Sequence, residues 1–137
     1  YNNNNKTTTT IITTSHSIII VDSSGSMRNS DVRGSRNRLA SVWYALAEDF
    51  VRQRIECGMG CLTDLVTVIL MGEQPRVVLE KEPTSWVLYN KILRIFKEGT
   101  IQPKGHGYYI PSLHLAESYL LQSQQQSTAE DSNNNNN

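Results

Sequence analysis

Asp22, Ser24 and Ser26 alternate along Asp22-Ser23-Ser24-Gly25-Ser26, so a suitably turned loop brings one carboxylate and two hydroxyls to a common point. Oxygen donors alone suit a hard divalent cation, Mg²⁺ or Mn²⁺. Ser23 points elsewhere. The same five residues also compose an ordinary turn whose side chains bond to nearby backbone. A second chemistry open to Asp22, at the end of an apolar run, is nucleophilic attack in an aspartate-dependent phosphotransferase. That reaction uses a second aspartate two residues on, where Ser24 stands, and the sequence places no general acid or base.

Other constellations are thinner. A serine hydrolase elbow needs a glycine two residues before the nucleophile, which Ser24 lacks, and no Gly-x-x-x-x-Gly-Lys-Ser/Thr phosphate loop is present. Cys57 and Cys61 flank Gly58-Met59-Gly60; zinc would need two more ligands, for which His106 and His114 are the candidates. A local redox pair and two ordinary part-buried thiols are the other readings. Arg28, Arg33, Arg36 and Arg38 make the loop after the motif locally basic. It is either a solvated loop or a rim that recognises an acidic partner.

The elements that must hold these residues are legible in the hydrophobic pattern. Ser17 to Val21 is β-branched without polar alternation, as in a strand buried on both faces. Leu39, Val42, Trp43, Leu46, Phe50 and Val51 recur with helical spacing after a candidate N-cap, Asn37, and Gly58 and Gly60 end that helix. Asp64 to Met71 reads as a second buried strand. Gly72 to Pro75 is a turn, and Arg76 to Glu80 is a short strand returning beside it. Pro83, Thr84 and Ser85 open a helix that stops at Gly99, followed by a Gly- and Pro-rich loop from Glu98 to Gly107. Pro111 suits the first turn of a last helix, with Leu113, Ala116, Leu120 and Leu121 inward. Strand, helix, strand, strand, helix, helix predicts a Rossmann-like three-layer α/β sandwich with a mostly parallel sheet.

Composition bounds the function. The 137 residues carry 13 Lys and Arg against 13 Asp and Glu, so no global field draws in nucleic acid. The apolar runs are too short to cross a bilayer, and neither a leader pattern nor a disulfide framework is evident, which favours an intracellular setting without fixing it. Residues 1–15 and 122–137, rich in Asn, Thr, Gln and Ser, are expected to be disordered tails around one domain at 16–121.

His16 to Met27 resembles the first strand and metal-ion-dependent adhesion site of von Willebrand factor type A domains. The following helix, the two-strand hairpin and Tyr109 to Ala116 also look like that family, in its order. What the resemblance implies is an interaction module rather than an enzyme, with Asp22, Ser24 and Ser26 holding Mg²⁺ or Mn²⁺ that a partner protein's carboxylate completes. Ser24 and Ser26 would bind directly and Asp22 through water. The family's second loop supplies a threonine about six residues before the helix leucine; counting back from Leu113 reaches Gly107, which has no side-chain oxygen. Thr100, in a Gly-Thr pair, is the candidate for that role. The family's third loop supplies an aspartate after another strand, whereas this chain passes from Leu121 into a Gln-rich stretch, and Asp131 lies in the polar tail. Three strands stand where the family has about six. The resemblance therefore implies a truncated fragment, or a shortened variant whose open sheet edge invites self-association or a partner. The alternatives are a structural domain of this kind without a working metal site and a phosphotransferase of the haloacid-dehalogenase type.

Overall fold

Three consecutive isoleucines and a valine give β1 (Ser15–Asp22) little choice but an extended conformation, although it is only partly covered from His16 to Ile20 and not buried on both faces as expected. It pairs in parallel with β2 (Asp64–Met71), from Ser15 opposite Asp64 to Asp22 opposite Met71. A parallel pair needs a crossover. Here a helical segment provides it: α1 (Arg38–Ala45), a π-helical stretch (Leu46–Arg52) and α2 (Gln53–Glu56). β3 (Arg76–Pro83) returns antiparallel to β2, giving the order β1-β2-β3 among the described residues. The computed structural model describes residues 15–131, with side chains through Gln124; the tail expected over residues 1–15 therefore lies outside them except for Ser15.

β3 runs three residues beyond the expected Glu80. Pro83 closes this edge strand instead of opening a helix, a position where its missing N–H costs no central ladder bond. The pairing shifts register between Val66 and Val68, and Lys81 takes a positive φ of 46° opposite this irregularity.

The helices cover both sheet faces, an incomplete three-layer α/β sandwich of the expected class. On one face Val21, Val66, Val68 and Leu70 pack against Leu39, Trp43, Leu46 and Val51 of the crossover and Leu88 and Ile92 of α3 (Trp86–Glu98). The apolar stripe read from the sequence is thus the buried stripe, with Val42 and Phe50 partly buried at its margins. The Asn37 side chain accepts from Ala40 N at 2.8 Å, and the Ser85 hydroxyl accepts from Leu88 N at 3.3 Å, capping the two helix starts. Gly99 ends α3 in the left-handed conformation, φ 59°. Arg54 joins the crossover to β2 through Asp64. Burial pushes the Asp64 carboxyl up, but hydrogen bonds from Ser15 and Arg54 outweigh that and hold it below the usual range.

On the other face lies α4 (Tyr109–Asp131), and here the sequence reading needs correction. Ser112 and Ala116 are buried, whereas Leu113, Leu120 and Leu121 are 54%, 43% and 51% exposed. The reason is the set of polar ties that fix the helix's rotation. Tyr119 Oη donates to Glu80 on β3 at 2.8 Å, and Ser123 Oγ meets His16 Nδ1 on β1 at 2.7 Å. Small residues then face the sheet. Leu113 and Leu120 fall on the flank away from Tyr119. The helix also continues past Leu121, through residues expected to be a tail, because Gln, Ala and Glu are good helix formers and neither Gly nor Pro interrupts them. No described helix is long and apolar enough to cross a membrane.

Candidate functional site

The parallel pairing ends with Asp22 beside Met71, and the loop that follows is anchored at once. Ser23 donates twice to the Met71 carbonyl, from N at 3.0 Å and from Oγ at 2.9 Å. Ser23 thus turns inward while its neighbours turn out. Asp22 Oδ1 accepts from Ser24 N at 2.7 Å, and a 3₁₀ turn over Gly25–Arg28 swings Ser26 back toward Ser24. The two hydroxyl oxygens stand 3.1 Å apart. In an octahedral shell with metal–oxygen distances of about 2.1 Å, adjacent ligands are separated by about 3 Å. The hydroxyl pair therefore has the spacing of neighbouring ligands on one Mg²⁺ or Mn²⁺. Asp22 and Ser24 are half-buried and Ser26 is exposed, so the set opens to solvent.

A second loop crosses over the first. Lys104 N donates to Ser23 O at 3.0 Å, Gly25 N to Gly105 O at 2.9 Å, and Arg28 Nη2 to Pro103 O at 3.2 Å. Tyr108 N donates to Gly72 O at 3.1 Å, in the turn after β2. These bonds bring Gly107 against the motif: a Cβ there would stand 3.1 Å from Asp22 Oδ1 and 3.4 Å from Ser24 Cβ. The position counted back from Leu113 is thus the one that reaches the site, and it arrives without a donor. Thr100 is exposed, next to the Gly99 cap that abuts the Arg36 guanidinium, and the bonds that join the two loops do not involve it. The structure therefore brings Asp22, Ser24 and Ser26 together and leaves Thr100 at the far end of the second loop.

Sequence reading did not single out the residues on the Ser23 side. A cleft of about 410 Å³ opens there, lined by Leu70, Gly72, Glu73 and Arg76 from the hairpin and by Lys104 and Gly105 from the second loop. Only the pairing of two distant loops assembles it. Among the described residues, no three His, Cys, Asp or Glu side chains gather as a metal-binding group, and the candidate set itself holds one carboxylate, Asp22. Cys57 and Cys61 are both exposed, not part-buried, and free; the Thr63 hydroxyl lowers the Cys61 thiol's pKa. In the basic loop, Arg38 is taken up by Asp31, and Arg36 donates to Phe96 O at 2.7 Å.

The von Willebrand factor type A domain family matches residues 17–136. No curated protein matches the chain. Among solved structures, the chain is similar to an uncharacterised membrane-spanning protein from Vibrio fischeri, at 21% identity over 80% of this chain and 50% of that one, with a TM-score of 0.57. It is also similar to the SpRpn10 VWA domain, at 14% identity over 77% of this chain and 50% of that one, with a TM-score of 0.52. Both likenesses concern the fold, and the chain spans about half the length of either structure. With the strand order, the two-faced helical cover and the match over residues 17–136 together, the chain belongs to the von Willebrand factor type A domain family.

Proposed function

We propose that this domain is a non-enzymatic protein-interaction module that holds Mg²⁺ or Mn²⁺ at Asp22, Ser24 and Ser26 and engages a partner's carboxylate there. The observation that carries the reading is the 3.1 Å hydroxyl pair beside the Asp22 carboxylate, open to solvent. A bound cation would supply positive charge for an incoming carboxylate; the chain's part is to present oxygens at ligand spacing and to keep Ser23 tied to the sheet. Gly107 adds no ligand, which leaves more of the shell to water and partner. Calorimetric titration of the folded chain with MgCl₂ and MnCl₂ tests the reading. Cation-dependent heat and a higher melting temperature are expected, and silence up to millimolar concentrations would overturn it.

The second reading is a structural domain without metal function. It draws on the same glycine, since a shell with one carboxylate and two hydroxyls binds a reluctantly dehydrating ion weakly. The titration separates the two.

A further inference from the structure

We infer that the partner segment is acidic and carries a bulky apolar side chain beside its carboxylate, seated on a platform of Tyr108, Tyr109 and Ile110. This inference rests on the cation-site reading above. The three platform residues are 51%, 69% and 63% exposed, consecutive in sequence, and directly follow the glycine that touches Asp22. Their position is fixed: Tyr108 N bonds to Gly72 O, and the His106 ring stacks on Tyr108 with centroids 6.3 Å apart. They do not serve to attach α4, which meets the sheet through Ser112 and Ala116. Large apolar groups held rigidly at a site rim are suited to anchoring a partner's side chain, and tyrosine is a favoured interface residue.

Charge selects the partner's sign. The whole chain is formally neutral. Yet Arg28, Arg33, Arg36, Arg76 and Lys104, all in or beside the loops at this end of the sheet, form no ion pair among the described residues, whereas Arg38 in the same loop is neutralised by Asp31. Against them stand Asp22, Glu73 and Glu98, with Asp31 taken up by Arg38. An acidic segment gains from this field before any cation is counted, and a basic one is repelled. Aromatic rings among cations also suit single-stranded nucleic acid. Ile110 and Leu113 continue the platform with aliphatic surface, which favours a polypeptide.

Selection of a random displayed-peptide library on the whole chain in MnCl₂ tests the inference. Expected winners carry Asp or Glu next to Phe, Trp, Leu or Met, are released by EDTA, and bind about tenfold more weakly to Tyr108→Ala and to Ile110→Ser. Cation-dependent peptides with no apolar neighbour, or indifferent to both substitutions, would overturn the platform and leave the cation reading standing. Peptides that bind equally to Asp22→Ala and in EDTA would overturn the cation reading and this inference with it. Tight binding of a single-stranded RNA oligomer, with no peptide enriched, would reassign the surface.

Discussion

Asp22 has two separable tasks: its Oδ1 accepts the Ser24 N–H, and its charge is the only negative one among the candidate ligands. Asp22→Asn keeps an acceptor of the same shape and removes the charge. Its melting temperature without cation is expected to stay within a few degrees of wild type, while the MnCl₂-dependent heat disappears; a titration curve unchanged from wild type would contradict the role given to Asp22. Gly107 allows the converse experiment. A serine hydroxyl there starts from a Cβ 3.1 Å from Asp22 Oδ1, and its other close neighbour is the flexible tip of Met71, also at 3.1 Å. Gly107→Ser should tighten Mn²⁺ binding roughly three- to tenfold by adding an oxygen donor, read as a shift in the same calorimetric isotherm. At this scale the motif was legible because its residues are neighbours in sequence. Counting back from Leu113 had pointed to Gly107 through the family resemblance, but the bonds of Pro103, Lys104 and Gly105 that carry it to the first loop are encoded by no local pattern.

For the elements, legibility followed the balance between apolar packing and polar ties. The crossover helix shows its buried stripe in the sequence because packing alone sets its rotation, although the π-helical widening left no periodic signal. α4 does not, because side chains distant in sequence fix it. Thr67 Oγ1, fully buried, accepts from Lys81 N at 2.9 Å and lies 2.8 Å from His16 Nε2. Ser123 Oγ donates to Tyr119 O and stands 2.7 Å from His16 Nδ1. The imidazole is thus held between two hydroxyls, one on β2 and one on α4. Burial, with Lys81 adding to it, lowers the His16 pKa. Because the folded value lies below the unfolded one of about 6.5, the unfolded chain takes up the proton first, and stability should fall as pH drops from about 6.5 toward the folded value. Urea midpoints at about pH 7.5 and about pH 5 measure this. His16→Gln should flatten the difference in that window, and an equal decline in both proteins would place its origin elsewhere.

On the whole-molecule scale, β2 is buried along nearly its full length while β1, bonded on one side among the described residues, remains only partly covered from His16 to Ile20. Leu113 and Leu120 add exposed apolar surface on α4, the helix that packs against β1 and β2. A strand edge without lysine, proline or bulge is a template for association. Sedimentation velocity should show larger species growing with concentration, and Leu113→Lys should weaken that association about tenfold without changing the fold, as judged by circular dichroism. A monomer at every concentration would mean that the edge is self-limiting. The sheet's existence could be read from three apolar runs. How far it extends beyond β1 could not, since an edge and an interior strand share the same β-branched composition.

The strand order also has a temporal side. β2 and β3 are joined by a short turn and can meet by a local search, whereas the Ser15–Asp64 pairing closes over the entire helical crossover. Closing the longer loop costs more entropy, and parallel pairing adds nothing until the crossover is compact. The expectation is a late-docking β1: Ile19→Val should speed unfolding and barely touch the refolding rate, while Leu79→Ala in the hairpin should slow refolding. Stopped-flow chevrons that show the reverse would reject this order. If it holds, then during synthesis the strand that leads into the candidate site is made first and seated last, and Asp22, Ser24 and Ser26 acquire their mutual geometry only after the rest of the sheet has formed.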